Sequence, residues 1–299
     1  MKQIIQDLNL TELEELMRGM GEKPFRAKQL YSGIMRGHNL SDVPAVPAAL
    51  LARLGERFED CPLEIIKTLR SSDGTEKYLY RLADGNIIEG VFMQYKYGNT
   101  LCVSTQVGCR MGCKFCASTL GGLVRNLTSG EILSQILKVN ALHGGTPAKR
   151  AVTNVVLMGS GEPLTVSLHN VTDEERARTM PIAKRYKISE ILDACSNYFR
   201  KTGRRYIFEY SLIEGENSDE RHADALIALL KGRPCHVNLI RLNDVKERNL
   251  AAASERGAQE FLKRLTDGGI SATLRRRMGA DIGGACGQLR AGYIKDCEQ

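Results

Sequence analysis

Apolar positions in the first sixty residues recur at helical spacing. In Leu10-Thr11-Glu12-Leu13-Glu14-Glu15-Leu16-Met17 they return every three or four residues, which predicts an amphipathic helix with Thr11 and Glu14 as its capping box. Gly21 to Pro24 read as a turn, and Phe25-Arg26-Ala27-Lys28-Gln29-Leu30-Tyr31 opens a basic second helix. Pro44 and Pro47 bound a third helix that runs through Leu54. Between 63 and 95 the period falls to that of strands. Glu76-Lys77-Tyr78-Leu79-Tyr80-Arg81-Leu82 and Ile87-Ile88-Glu89-Gly90-Val91-Phe92-Met93 flank Asp84-Gly85-Asn86, the signal of a hairpin. From residue 100 strands and helices alternate. Leu101-Cys102-Val103-Ser104-Thr105 reads as a short strand. Thr128 and Glu131 form a capping box for a helix with Ile132, Leu133, Ile136 and Leu137 as its apolar stripe. The run 152–158 is almost wholly apolar, as in a strand buried on both faces. Helices follow near 189–201, 218–231 and 255–267, the last stopped by Gly268-Gly269, with strands near 205–213, 236–241 and 270–275. The alternation predicts a parallel α/β fold, barrel-like or open.

Composition narrows the class. The 299 residues suit one large domain or a core with an appendage. The expected division is a helical accessory domain at 1–60, a β-hairpin connector at 61–98, an α/β core at 99–292 and a tail at 293–299. No apolar run approaches the roughly 18 residues of a membrane span, and the first residues are amphipathic rather than signal-like, so a cytoplasmic protein with no membrane partner is expected. A net charge of +7 permits a nucleic-acid partner. Lys23, Arg26 and Lys28 could dock on phosphates, or simply form a solvated helix face. Trp is absent, which argues against a base-stacking platform. Nine cysteines, an odd and unevenly spaced set, do not read as a disulfide framework. Cys195, Cys235 and His236 read as packing residues.

The chemistry is concentrated in Cys109-Arg110-Met111-Gly112-Cys113-Lys114-Phe115-Cys116. Three thiolates on one tight loop can ligate three irons of a four-iron cluster, which leaves the fourth iron open to chelation by an amine and a carboxylate. A structural zinc would need a fourth ligand nearby, and Cys102, seven residues before Cys109, is poorly spaced for that.

This C-x3-C-x2-C loop after a strand resembles the signature of radical S-adenosylmethionine (SAM) enzymes. The wider match is to the RNA adenine-C2 methyltransferases. It runs through Cys102-Val103-Ser104-Thr105-Gln106-Val107-Gly108-Cys109, Gly161-Glu162-Pro163-Leu164, Ser167-Leu168-His169, Met180-Pro181-Ile182 and Ala285-Cys286-Gly287-Gln288-Leu289. The resemblance implies a partial (β/α) barrel and a [4Fe-4S] cluster on Cys109, Cys113 and Cys116. It implies one SAM as methyl donor and a second as radical source. Gly161 and Glu162 match the pair that holds the methionine amine of SAM, and Ser167, Leu168, His169 and Asn243 match further SAM contacts. Cys286 matches the thiol that first takes the methyl group and then adds it to adenine. Cys102 matches the thiol that resolves the resulting protein–RNA link, leaving a Cys102–Cys286 disulfide. Glu89 sits where the family has a proton acceptor, and its apolar neighbours Ile87, Ile88 and Val91 suit that task. The implied substrates are 23S ribosomal RNA and tRNA, with an electron donor such as flavodoxin and a monomeric enzyme. The related resistance methyltransferases, which act at C8 of adenine, share the cluster and the thiols. A degenerate RNA-binding relative without catalysis is the rival of another class. Arg275-Arg276-Arg277 is a candidate phosphate clamp.

One departure stands out. Six residues, 159–164, separate the run 152–158 from Thr165-Val166-Ser167-Leu168-His169. A parallel crossover normally takes about a dozen residues or more. Six extended residues reach about 21 Å at most, barely the length of a return along a strand of about 17 Å. The family carries roughly fifty residues here, more than one βα unit of a barrel. The expectation is a barrel short of one strand.

Overall fold

The structure, a computed structural model, describes residues 2–160, 166–242, 250–276, 278–282, 289–290 and 293. The chain divides into two units, 1–107 with 125–160 and 108–124 with 161–299.

In the first unit, β1 (Gln3–Ile4) pairs in parallel with β2 (Phe58–Glu59), and between them lie α1 (Leu10–Gly19), α2 (Phe25–Met35) and α3 (Ala48–Arg57). Their apolar faces meet through Leu13, Met17, Leu30, Ile34, Leu50 and Leu54, a core of their own. The cap of α1 lies two residues earlier than the sequence suggested. The Asn9 side chain accepts from the Glu12 amide and Glu12 accepts from the Asn9 amide. Asn is as good an N-cap as Thr, and starting there lets Leu10 join the helix.

The strands β3 (Glu64–Arg70), β4 (Glu76–Arg81), β5 (Ile87–Tyr95), β6 (Gly98–Cys102) and, after a ribbon of β7 (Gln106–Gly108) and β8 (Leu123–Asn126), β9 (Asn154–Val156) include one five-stranded sheet, ordered β3-β4-β5-β6-β9. The expected hairpin is β4–β5, turning at Gly85 with φ 82°. The antiparallel meander ends in a parallel β6–β9 pair. One face of the sheet packs Tyr78, Tyr80, Ile88, Phe92 and Leu101 with Val139 of α4 (Ser129–Leu142). By register, the other face carries Lys77, Leu79, Glu89, Val91, Met93 and Cys102, all buried.

One expectation fails here and another holds in part. The run 152–158 forms a strand only at 154–156, and Val155 is 42% exposed. Among the described residues β9 is an edge strand, paired with β6 alone. On α4, the capping box of Thr128 and Glu131 holds. However, its fully buried positions are Gly130, Glu131, Ser134, Gln135 and Val139, while Ile132, Leu133, Ile136 and Leu137 are half-buried, with Ile132 and Ile136 packed against the core.

The second unit holds a fully parallel sheet of β10 (Val166–Ser167), β11 (Tyr206–Leu212), β12 (Cys235–Arg241) and β13 (Ala272–Leu274), in that order. The helices α5 (Asp173–Thr179), α6 (Ile188–Thr202), α7 (Glu220–Leu230) and α8 (Glu255–Asp267) alternate with the strands, as the sequence pattern predicts except for α5. Phe208, Tyr210, Val237 and Leu239 meet Leu192, Leu226, Phe261 and Leu265 in the core. Cys195 and Cys235 are buried in that core. The opposite face is polar: Asn238 donates to Glu209 and accepts from Thr273. No helix among the described residues is long and apolar enough to cross a membrane.

Candidate functional site

In the second unit, the cysteine loop is shaped by its glycines. Gly108 has φ 78°, and a Cβ there would lie 1.9 Å from the Gly122 carbonyl oxygen, so no other residue fits. That closeness lets the Cys109 amide donate to Gly122 at 2.9 Å. Gly112 turns the loop again at φ 68°. The Cys116 amide donates to the Cys113 carbonyl, and the Thr119 hydroxyl donates to the carbonyls of both Cys113 and Cys116. Cys113 is buried against Met180 and Ala183, with Phe115 and Ile182 beside it, so the Met180-Pro181-Ile182 motif is the bed on which the loop rests. Burial pushes the Cys113 thiol up to about 12, and the neighbouring Cys116 and Cys109 push in the same direction. Among the described residues, no three His, Cys, Asp or Glu side chains are drawn together around a metal-ion position.

The segment 167–169 is held beside this loop within the same unit. His169 stacks edge-on against Phe115, with ring centroids 4.8 Å apart. Its Nδ1 accepts from the Ser211 amide at 3.0 Å. Burial, with a smaller contribution from the Arg176 charge, lowers its pKa to about 3, so the ring is neutral. Leu168 is buried in the α/β core and Ser167 is half-buried on β10. Arg176, which sequence reasoning missed, is itself buried. Its guanidinium donates to the carbonyls of Ser167, Leu168 and Tyr186 and so fixes the end of β10.

In the first unit, Glu89 and Cys102 share one buried sheet face. Cys102 is opposite Val91, and Val91 is opposite Lys77. Lys77 Nζ lies 3.5 Å from Glu89 Oε2. The sequence reading gave Glu89 apolar neighbours and overlooked this one, because a lysine in an alternating strand looks solvent-facing. The strand holding Cys102 ends there rather than continuing to Thr105, because Ser104 turns to other partners. Its amide donates to Gln135 Oε1, its carbonyl accepts from Gln135 Nε2, and its hydroxyl donates to the Glu89 carbonyl. The Ser160 amide donates to that same hydroxyl oxygen, and the Thr105 and Gln106 amides donate to the Ser160 carbonyl. Gln135, on the polar face of α4, thus holds the segment after Cys102 and, through Ser104, the end of the segment before Gly161.

Gly161, Glu162, Asn243, Arg277 and Cys286 lie outside the described residues. Of the basic candidates, Lys23 and Lys28 are exposed, while Arg26 is spent on Gln29 and on the Ala45 carbonyl. His236 is engaged at both ring nitrogens, by Ser271 and Thr273.

No protein-family profile matches the chain. A protein of Clostridium perfringens named "Probable dual-specificity RNA methyltransferase RlmN" is 46% identical over 347 aligned positions, covering 99% of this chain and 98% of the relative. One of the same name from Clostridium botulinum is 44% identical over 349 positions, covering 100% and 99%. The crystal structure of a radical SAM methyltransferase from Sphaerobacter thermophilus superposes with a TM-score of 0.88 at 35% identity, covering 97% of this chain and 99% of that one. An alignment of 347 positions against a chain of 299 residues leaves at least 48, the difference, with no residue in this chain.

Proposed function

Since the chain belongs to the family of dual-specificity RNA methyltransferases, SAM-dependent enzymes of the radical type, we propose that it methylates C2 of adenosine in 23S ribosomal RNA and tRNA by way of a methyl-bearing cysteine. The observation that carries this reading is the buried sheet face on which a carboxylate, Glu89, and a thiol, Cys102, stand beside each other's strands.

The donor set of the cysteine loop fits a [4Fe-4S] cluster. Three thiols spaced along one loop, which Gly108 and Gly112 turn tightly, are the donor type and number that such a cluster takes. When bound, the cluster and SAM supply the methyl group and the radical chemistry. Cys109, Cys113 and Cys116 would hold the cluster. Gly161, Glu162, Ser167, Leu168, His169 and Asn243 would position SAM, with Arg176 keeping the 167–168 backbone in place. Cys286 carries the methyl group to the base, Glu89 takes the C2 proton, and Cys102 resolves the protein–RNA link by pairing with Cys286. The reading implies a partial (β/α) barrel short of one strand. The helical core of α1–α3 suits an accessory domain that meets RNA. A cytoplasmic monomer reduced by a flavodoxin-like donor completes it.

Anaerobic reconstitution, reaction with SAM and RNA, nuclease digestion and mass spectrometry test the proposal. 2-Methyladenosine is the expected product. 8-Methyladenosine would favour the resistance-type reaction, and SAM cleavage without RNA methylation would overturn the assignment. Cys102→Ala should accumulate covalently bound RNA, whereas Cys286→Ala should form none.

A further inference from the structure

Lys77 and Glu89 form an ion pair at 3.5 Å with the two side chains 0% and 1% exposed. Among the described residues, their apolar neighbours on that sheet face include Leu79, Val91 and Met93, all buried. Among the described residues, the titratable groups that share this face with Glu89 on the neighbouring strands are Lys77 on β4, in contact with it, and Cys102 on β6, opposite Val91. The backbone at Glu89 is pinned as well, because its carbonyl accepts from the Ser104 hydroxyl at 2.6 Å. A buried ion pair is weak evidence for stability, since desolvating two charges offsets their attraction. Its place beside the resolving thiol's strand calls for a chemical explanation.

We propose that Lys77 is a positioning residue for the proton transfer, holding Glu89 ionised and oriented on the strand face that carries Cys102. This rests on the reading of Glu89 as proton acceptor. A carboxylate alone among apolar side chains neutralises itself by taking up a proton, and a protonated carboxyl cannot accept another. The ammonium removes that tendency and fixes the carboxylate against rotation. In the step itself, one proton passes from C2 of the base to a carboxylate oxygen, and the C–H electron pair stays on the base. Lys77 remains an ammonium. The pair goes from net neutral to one positive charge, a state that burial disfavours, so after the RNA leaves the proton is lost to solvent water and the carboxylate is restored.

Two measurements on the full chain separate this inference from the reading beneath it. Difference infrared spectroscopy of the cofactor-free protein at neutral pH assigns the Glu89 carboxylate band by its loss in Glu89→Gln. In Lys77→Met the band should be replaced by that of a protonated carboxyl, and in Lys77→Arg it should persist. Lys77→Gln, which keeps a hydrogen-bond donor without the charge, serves where the methionine variant does not fold, and should behave like it. A carboxylate band unchanged in a folded neutral variant overturns the inference. In the second arm, release of cross-linked RNA should slow at least tenfold in Glu89→Gln and in the neutral Lys77 variants, and recover in Lys77→Arg. Native-rate release by Glu89→Gln overturns the acceptor reading itself. Slow release by Glu89→Gln with native release by Lys77→Met overturns the role of Lys77 alone.

Discussion

His169 shows how much a single side chain can be asked to do. It sits at φ 55°, a conformation few residues other than glycine adopt. Its carbonyl accepts from Asn217 and its Nδ1 from the Ser211 amide. Because burial lowers its pKa to about 3 from an unfolded value of 6.5, the unfolded chain binds a proton that the folded chain refuses as pH falls. Stability contributed by this group is therefore present above about pH 6.5 and is lost on acidification towards 3. Between pH 7 and 5 the loss should be about 2 kcal/mol. Urea unfolding of the native chain and of His169→Asn, which tolerates the same backbone, checks it: the difference between them should narrow as pH falls. The cysteine positions at this scale were legible because their spacing is local. Lys77 and Arg176 were not, since nothing in the neighbouring sequence says that a charged side chain will be buried on carbonyls or on a carboxylate.

Helix α4 and the cysteine loop make the same point for whole elements. Periodicity placed α4 correctly but not the centre of its buried face: Ile132 and Ile136 pack against the core from one side, while Gln135 is fully buried because it closes both backbone hydrogen-bonding groups of Ser104. Gln135→Leu should cost about 2–4 kcal/mol, because it strands a buried amide and a buried carbonyl. Chemical denaturation measures the loss. The cysteine loop was legible as chemistry, though not the reason for its Gly108, which depends on a backbone fourteen residues away. Gly108→Ala must displace Gly122 and adopt a left-handed conformation worth about 1–2 kcal/mol in strain before any clash. Iron content after anaerobic reconstitution should fall from about four per native chain to near none.

Across the whole molecule, the chain passes between the two units at 107, 124 and 160, and Cys109, Cys113 and Cys116 all ride on the short 108–124 excursion. The parallel α/β class and the order of later elements were readable from alternation. The exposure of Val155 was not, because an apolar run predicts a neighbour on each side, and among the described residues β9 is an edge. The relatives' alignments leave at least 48 positions without a residue in this chain, where 347 positions meet 299 residues. Inserting a family-like segment between Leu164 and Thr165 should raise the melting temperature and bury Val155, as calorimetry and quenching of a probe at that position would report. Unchanged values would show that the short link suffices. The Gln135–Ser104–Ser160 arrangement has its own consequence in time. The amides of Ser104, Thr105, Gln106 and Ser160 all donate within one connected set. None of them can reach solvent until that set opens, so their deuterium uptake should follow a single shared rate. One slow clock would then time the exposure of both the segment after Cys102 and the approach to Gly161, and Gln135→Leu would speed all four amides together.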